Sequence, residues 1–417
     1  MSCNEWQKVK LGEVADILSG YAFKTKDFID EGIPVVKIKN IIPPNIDIND
    51  TQYVSNELYN EKIKFALNYN DVLISLNGSN INQLASAVGK IGRVRLKDKK
   101  LLLNQRVGKL YIVDEKRCNY DYLYYYLTQP EVRYNLAAMA GGSANQANIS
   151  PSQIKDIEIQ LPPLEEQEKI ANILSSLDDK IELNNEMNKT LEEMAQSIFK
   201  RWFVDFEFPN ENGEPYKSSG GEMVDSELGM IPNGWEVVNY INTSDIQYGF
   251  AFKSKLFNDK EGKPIIRIRD ISNSYTPTYT TEEYNDLYIV TKNDILVGMD
   301  GEFKAHIWGG KDSLLNQRVL RIRPKDNNSI AYSYFSIKEP LRYLENSKVG
   351  TTVIHLGKKD IDNIKIVYPP NNLISKYRDI ADNLINKICE NKVEIMELLE
   401  LRDSLLPKLM SGEIKVN

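Results

Sequence analysis

The hexapeptide LLNQRV occurs twice in this chain, at 102–107 and again at 314–319. In each copy two side-chain amides stand next to a guanidinium group, which in the first copy are Asn104, Gln105 and Arg106. Amides of this kind bind two atoms of adenine, and arginine binds two atoms of guanine, in the major groove of DNA. The question is whether the hexapeptide is such a reading site or the mark of a larger duplication.

Other blocks of sequence recur in the same order, so the hexapeptide belongs to a duplication of a whole domain. GYAFKTKDF from Gly20 matches GFAFKSKLF from Gly249, and NDVLISLNG from Asn70 matches NDILVGMDG from Asn293. The distance between matching blocks shrinks along the chain, which indicates deletions in the loops between fixed elements. The Asn-Asp pairs before the strands are typical of turns.

The two copies predict β-rich domains with a few short helices. PVVKIKNI and PIIRIRDI alternate apolar and basic residues, as half-buried strands do. Short helices are predicted near 120–127 and 331–337. The fold class is α/β (α+β), with two tandem domains, each followed by a long helix. The predicted segments are a first domain (1–163), a helix (164–206), an acidic linker (207–230), a second domain (231–370), a second helix (371–410) and a tail (411–417).

An apolar stripe with heptad spacing runs through both predicted helices, as in the seam of a coiled coil. A helix over 164–206 would be roughly 60 Å long and cannot bury such a seam alone. We therefore expect the two helices to pack together, antiparallel if the domains lie at opposite ends and parallel if they lie at one end. The seam residues are Ile170, Leu174, Leu177, Ile181, Asn184, Asn188, Leu191, Ala195, Ile198 and Trp202, and then Tyr377, Ala381, Leu384, Ile388, Asn391, Ile395, Leu398, Arg402, Leu405 and Leu409.

Each seam contains an asparagine at the same place, Asn184 and Asn391. A polar residue in a seam costs stability but fixes the register of the helices. We predict that the two side chains meet near a pseudo-two-fold axis at the helix crossing. The alternative is that they are two unrelated, solvated asparagines.

The bulk properties argue against most enzyme classes. The net charge is −7, but the acidity is concentrated in 161–230 and the two domains are slightly basic, so a basic groove is compatible with it. Three cysteines without a CxxC pair and two histidines argue against a zinc site. The sequence has no P-loop, nucleophile elbow or HExxH motif. The sequence also has no long apolar run, so we expect a cytoplasmic protein. From the missing ligand sets and motifs we expect that it holds no metal and is not an enzyme.

Several longer motifs occur together and in order. They are LPPLEEQEKIANILSSLDDKIELNN from Leu161, FKRWFVDFEFP from Phe199, DSELGMIPNGWE from Asp225 and SLLPKLMSGEI from Ser404, with LLNQRV in each half. With these motifs the whole chain resembles the specificity (S) subunit of type I restriction-modification systems. One departure is that the second helix begins NNLISKY, without PLEEQ, so its first turn is expected to make different partner contacts.

The resemblance implies two target-recognition domains joined by an antiparallel coiled coil of helices. Each domain would read one half of a bipartite, asymmetric site in double-stranded DNA. The helices would set the unread gap and dock two methyltransferase (M) subunits, which carry S-adenosylmethionine, and two restriction (R) subunits that use ATP and Mg could join. The alternatives are a stand-alone tandem-domain DNA-binding regulator that dimerises through its helices, and an enzyme with an unrecognised site.

If the two domains read different sequences, the residues they share cannot carry the difference, because contacts to phosphate or scaffold hold no sequence information. Discrimination is then expected where the copies diverge, with solvated loop residues as the alternative. The divergent stretches are 42–69 against 272–292, 79–100 against 302–313, and 142–148 against 350–355. The candidates for base contact are Asn80, Asn82, Gln83, Arg93, Arg95, Ser143, Asn145, Gln146, Lys304, His306, Thr351, Thr352 and His355.

Cations that both copies share are candidates for phosphate contact, with ordinary surface lysines as the alternative. Because LLNQRV is identical in both copies, it cannot carry a difference in sequence preference and is assigned to the scaffold. Its leucines and valine should pack in the core, and its amides should hold a neighbouring loop. The phosphate candidates are Lys24, Lys26, Lys253, Lys255, Arg106 and Arg318.

Removing the charge of Lys24 or Lys253, as in Lys24→Gln, should weaken binding to all DNA sequences alike. Each lost phosphate contact should also lower the slope of log affinity against log salt by about one. Affinities measured over a salt series test this, and an unchanged slope would remove these lysines from the interface.

Overall fold

A computed structural model describes residues 6–79, 81–86, 88–143, 146–325, 328–348 and 354–416, except for the side chains of 84–86, 143 and 146. The chain forms two compact units, Met1–Asp178 with Leu401–Asn417, and Asp179–Glu400. The division passes through the middle of both long helices. Each unit therefore combines one β-rich domain with part of each helix, whereas the predicted segments kept the helices separate.

The first domain is built from short strands and four short helices. Its strands are β1 (Gln7–Lys10), β2 (Ala15–Ser19), β3 (Ile33–Val36), β4 (Ile41–Ile42), β5 (Asn45–Ile46), β6 (Gln52–Val54), β7 (Ala66–Leu67), β8 (Val72–Ser75), β9 (Asn77–Gly78), β10 (Ile91–Arg93), β11 (Leu101–Leu103), β12 (Val107–Ile112), β13 (Gly141–Ser143), β14 (Gln146–Asn148) and β15 (Glu158–Leu161). Its helices are α1 (Asn56–Glu61), α2 (Tyr120–Thr128), α3 (Pro130–Met139) and α4 (Pro151–Lys155).

The second domain repeats this plan with fewer elements among its described residues. Its strands are β16 (Met223–Ser226), β17 (Gly229–Pro232), β18 (Glu236–Asn239), β19 (Ser244–Tyr248), β20 (Phe257–Asn258), β21 (Lys263–Ile266), β22 (Tyr279–Thr280), β23 (Ile289–Val290), β24 (Ile295–Gly298), β25 (Ala305–Ile307), β26 (Ser313–Leu315), β27 (Val319–Pro324) and β28 (Lys365–Tyr368). The helices are α5 (Leu164–Phe199), which precedes the domain, and α6 (Ile330–Ser347), α7 (Lys358–Asp362) and α8 (Asn371–Met410).

The sheet topologies confirm the duplication. In the first domain, β2-β12-β8-β10-β5-β4 and β6-β3-β11-β7 form the two main sheets, and β1 pairs with β15. In the second, β19-β27-β24-β25 and β20-β22-β21-β26-β23 correspond to them, and β18 pairs with β28. In both domains the strand that precedes the LLNQRV turn lies parallel to the strand predicted from PVV or PII.

The segment predicted as an acidic linker is folded in part. Strands β16 and β17 form an antiparallel hairpin. Before the hairpin, the ring of Phe208 stacks on Tyr216 with 4.6 Å between centroids and lies 5.1 Å from Trp235. Composition indicated a linker because polar residues and glycines outnumber these aromatic residues, yet the aromatic residues attach the segment to the second domain.

Helices α5 and α8 pack antiparallel in both units. In the second unit, Asn184 of α5 contacts Glu394, while Ala195, further along α5, contacts Tyr377, which comes earlier in α8. In the first unit, Asp178 contacts Arg402 at 2.8 Å. No seam residue is exposed, and all of them lie in the described ranges. Among the described residues, no helix is long and apolar enough to cross a membrane.

The two seam asparagines are buried, at 0% exposure for Asn184 and 1% for Asn391, so they are not solvated. Each bonds across the helix pair but not to the other. Asn184 Nδ2 donates to Glu394 Oε2 at 2.8 Å, and Asn391 Nδ2 donates to Asn188 Oδ1 at 2.9 Å. These two buried Nδ2 donors penalise other registers of the helix pair, because a slip would leave them unsatisfied, although Asn184 Oδ1 has no partner even here.

Helix α5 is fixed to each domain by a carboxylate that accepts a bond from a tyrosine. Asp178 accepts from the hydroxyl of Tyr125 at 2.7 Å in the first unit. Glu192 accepts from Tyr334 at 2.8 Å in the second. Burial works to raise the pKa of Glu192, but nearby Lys338 and the Tyr334 bond outweigh it and lower that pKa. The carboxylate therefore stays ionised at neutral pH and holds the helix on its domain.

The glutamine of the PLEEQ motif is used inside the chain. Gln167 is fully buried, and its Nε2 donates to the carbonyls of Arg117 and Pro162, both at 2.8 Å. Its Oε1 accepts from the N–H of Asn119 at 2.9 Å, just before α2. In the second unit Asp382 has the corresponding task, since it accepts from three groups at the start of α6.

Gln167→Ala should lower the free energy of unfolding by about 3 kcal/mol, because it leaves three backbone groups buried without partners. Urea unfolding of the full chain measures this. Glu165→Ala, an exposed change two residues earlier on the same helix, should leave the unfolding curve unchanged. Equal unfolding curves for both variants would show that Gln167 is not a structural tie.

Candidate nucleic-acid interface

The hexapeptide LLNQRV forms a tight turn between two sheets. Leu102 and Leu103 end β11 in one sheet and Val107 begins β12 in the other, and all three are fully buried. The N–H of Val107 donates to the carbonyl of Asn104 at 2.9 Å, which closes the turn. The leucines and the valine therefore pack in the core, as predicted.

The amides of the turn act differently from the prediction. The Oδ1 of Asn104 accepts from the backbone of Arg106 at 3.3 Å, so it braces its own turn. The neighbouring loop is held by the backbone of Gln105, whose N–H donates to the carbonyl of Tyr21 at 2.9 Å. Gln105 itself is exposed, as is Gln317. The sequence alone could not show whether the backbone or the side chains of this turn donate the hydrogen bonds that hold the loop.

The repeated GYAF and GFAF blocks lie directly against the turn. The N–H of Tyr21 donates to the carbonyl of Leu103 at 2.9 Å. A Cβ on Gly20 would come within 2.3 Å of the same carbonyl oxygen, and one on Gly249 within 1.9 Å of the Asn316 carbonyl oxygen. Only glycine allows this backbone approach. The two repeated blocks therefore recur together because they form one contact.

In the first domain, two of the predicted reading loops meet beside the turn. Strand β9 pairs with β14, and β14 with β13, so the loop after β9 and the β13–β14 hairpin lie side by side. The N–H of Leu76 donates to the carbonyl of Arg106 at 3.0 Å, and that of Ile149 to the carbonyl of Leu76 at 2.9 Å. Asn77 faces Asn148 across this small ladder.

The second domain has the corresponding backbone hydrogen bonds, formed around different residues. The N–H of Met299 donates to the carbonyl of Arg318 at 2.8 Å, and that of Leu356 to the carbonyl of Met299 at 2.7 Å. Here Asp300 faces His355. Arg318 has a φ of 70°, a left-handed conformation that costs a non-glycine residue about 1–2 kcal/mol.

The predicted base-contact residues of the first domain lie at several places. Asn82 and Gln83 are exposed on the helical turn Ile81–Ser86 after β9. Ser143 and Gln146 lie in the β13–β14 hairpin that reaches the same place. The candidates outside the described residues are Asn80 and Asn145 and, in the second domain, Thr351 and Thr352.

Arg93 is unsuitable as a base contact in this structure. Its side chain is 2% exposed, pairs with Asp121 and lies 4.2 Å from the ring centroid of Tyr124. Arg95 is half-buried, and its Nη1 donates to the Tyr69 hydroxyl at 3.0 Å. Sequence placed both in a divergent stretch, but β10 turns Arg93 towards helix α2, which a linear reading cannot foresee.

The second-domain candidates also separate. Lys304 is exposed, and Glu302 at 2.6 Å raises its pKa, so it stays charged. His306 lies on β25, where burial and then Lys392 lower its pKa, so the ring is neutral at neutral pH and faces charges of the helices. His355 is 45% exposed and bonds to Asp300.

All six phosphate candidates are exposed. Lys24 and Lys26 flank the start of a short helical turn, Thr25–Asp27, that follows the GYAF block, so they lie close in sequence to the contact with LLNQRV. Lys253 has an acidic neighbour, since its Nζ is 3.5 Å from Glu282. The strand predicted through PVVKIKNI ends at Val36, and the lysines that follow lie on a turn.

Sequence reasoning missed the facing pairs Asn77–Asn148 and Asp300–His355 as units. Only His355 was among the candidates. Asn77 and Asp300 precede the shared Gly78 and Gly301, after which the divergent stretches were taken to begin, and Asn148 lies in the stretch 142–148 but was not named. The signal that could have found these pairs is that Asn77 and Asp300 differ, although LNG and MDG occupy matching places in the two copies.

Fold and site together define a tandem-domain protein that presents two different polar surfaces on one repeated scaffold. A family model described as the type I restriction modification DNA specificity domain matches residues 4–193 and 232–400. The chain therefore belongs to the family of type I restriction-modification DNA specificity proteins.

Individual relatives agree with this assignment. The chain is 28% identical over 345 residues to the type I restriction enzyme MjaIX specificity subunit of Methanocaldococcus jannaschii, covering 80% of this chain and 77% of that protein. It is 27% identical over 429 residues to the putative MjaX specificity subunit of the same organism, covering 99% and 94%. The S subunit crystal structure from M. genitalium has the same fold, with a TM-score of 0.55 at 18% identity over 98% of this chain and 97% of that one.

Gly20→Ala should destabilise the first domain by about 2–3 kcal/mol, because the added methyl group collides with backbone oxygens that cannot move freely. Gly141→Ala is the matched control, since a Cβ there meets nothing within 4 Å. Thermal unfolding compares the two. A Gly20→Ala protein as stable as the control would contradict the close contact.

Proposed function

We propose that each domain of this chain reads one half of a bipartite, asymmetric site in double-stranded DNA. The observation that carries the proposal is the set of backbone hydrogen bonds that recurs around the LLNQRV turn in both domains. Both domains hold an exposed arginine, Arg106 or Arg318, in the turn formed by the same hexapeptide, and different polar residues surround it. A scaffold used twice with different surroundings suits two readers of different sequences, because shared contacts position the DNA and divergent ones specify it.

Family membership supports the partners that we propose. The helices set the length of the unread gap and dock two methyltransferase subunits, which bind S-adenosylmethionine and methylate adenine. Two restriction subunits that use ATP and Mg complete the assembly. The chain itself is non-catalytic and works in the cytoplasm. Membership of the specificity family favours this proposal over a stand-alone regulator.

The test is to sequence methylated bases in the host genome with and without this gene. A bipartite methyladenine motif that disappears on deletion is the expected result. A motif that persists without the gene, or no bipartite motif in the wild type, would overturn the proposal.

Single substitutions should divide the motif between the domains. Gln83→Ala should relax the preference in one half of the motif and Lys304→Ala in the other, because each residue belongs to one reading surface. Lys260→Ala, an exposed lysine of the second domain outside the divergent stretches that hold base-contact candidates, is the control and should leave the motif intact. A variant whose preference changes in both halves would contradict the division.

A further inference from the structure

We propose that the facing pair beside the shared arginine reads one base pair in each domain. In the first domain Asn77 and Asn148 select A·T, and in the second Asp300 selects G·C together with Arg318. The inference rests on the proposed function and adds to it the positions and the base chemistry that distinguish the two domains.

The two pairs are equivalent in the fold. Each lies where the segment after the NDVL or NDIL block meets the segment that returns from the last divergent loop, as part of a strand pair in the first domain and as an isolated antiparallel bridge in the second. The same backbone bonds, to the arginine carbonyl and between the strands, surround both pairs. The side chains of the two pairs differ, and so does the backbone of the neighbouring arginine, since Arg318 is left-handed.

The pairs are built to hold their side chains in place. Directly opposed residues of an antiparallel ladder project to one face and lie close together. Asn77 is half-buried and Asn148 is exposed, while the side chains of Asp300 and His355 are 30% and 45% exposed. The strand pair around Asn77 and Asn148, and the β-bridge between Asp300 and His355, fix donors and acceptors more firmly than a loop tip does. Reading a base edge requires such fixed groups.

The first pair matches the adenine edge. Asn77 Nδ2 donates to Asn148 Oδ1, which joins the two amides. Together the amides keep a second carbonyl oxygen, on Asn77, and the amino group of Asn148. One acceptor and one donor side by side are what the N6 amino group and N7 of adenine require in the major groove.

The second pair presents charged groups, a carboxylate beside a guanidinium, where the first pair presents two amides. The Asp300 carboxylate lies 2.7 Å from His355 Nδ1, which can donate to it, and its other oxygen is 3.6 Å from Arg318 Nε. A carboxylate accepts from N4 of cytosine, and a guanidinium donates to O6 and N7 of guanine. Arg318 Nη1 is also 3.2 Å from His355 Nδ1, so the arginine lies on the pair itself and is placed to reach the same base pair.

In the first domain the arginine has a different setting. Arg106 is close enough to Lys37 to help lower the pKa of that lysine, after burial and Lys39. With no carboxylate at position 77, the first arginine remains beside other cations, a setting suited to phosphate. The same residue of the repeated hexapeptide thus takes two roles, because its neighbour and its backbone conformation differ.

The experiment exchanges the pairs in the full chain, produced in the host with its methyltransferase. Asn77→Asp with Asn148→His gives the first domain the second pair, and Asp300→Asn with His355→Asn makes the reverse change. Sequencing of methylated bases should show that each exchange alters the preferred base pair at one position of one half of the motif, by about tenfold or more. The isosteric single variants Asn77→Asp and Asp300→Asn, which alter no shape, should lose preference at the same positions.

The outcomes separate this inference from the function on which it rests. If the wild type gives no bipartite motif, the proposed function fails. If the wild type gives the motif, the inference is overturned when the exchanges leave it unchanged, alter several positions or abolish methylation in both the exchanged and the isosteric proteins. Asn135→Asp, an exposed change on α3 outside the divergent stretches, is the control for added charge and should leave the motif intact.

Discussion

The backbone contact between the GYAF or GFAF block and the LLNQRV turn is the constraint on which each domain depends. The chain must leave one sheet and enter the other within three residues, and backbone hydrogen bonds from the opposite loop hold it there. Glycine is required because the two backbones approach closer than any side chain allows. The arginine carbonyl of the same turn then fixes the strand that bears the facing pair. One contact therefore sets both the core of the domain and the position of the facing pair.

The helices depend on a different kind of constraint, which is the burial of polar groups. Asn184 and Asn391 bond across the helix pair, and Asp178 and Glu192 accept from tyrosines of the two domains. Buried polar groups stabilise little on balance, but each is costly to leave unsatisfied. They therefore select one register of the helices and one seating of each domain. The apolar seam supplies the stability, and the polar contacts supply the uniqueness.

Much of the fold could be predicted from the sequence because its signals are periodic or repeated. The heptad seam predicted the long helices, and the duplicated blocks predicted two domains of one topology. The hairpin at Met223–Pro232 was not predicted, because the composition around it is typical of a linker. A few aromatic residues nevertheless attach this segment to the second domain. The candidate site was predicted only in outline. The divergent loops were found, but Arg93 proved to be buried and His306 to face the helices, since strand pairing decides where a side chain points.

The sequence by itself determined that the chain is a duplication, that its copies share a scaffold and differ in loops, and that two helices must share a seam. These are properties of order and spacing along the chain. Only the tertiary structure decided that Asn77 faces Asn148 and Asp300 faces His355, and that Arg318 lies against the second of these pairs. The physical reason is that these contacts join residues far apart in the chain. Strand register and turn geometry bring them together, and no local pattern of residues records that pairing.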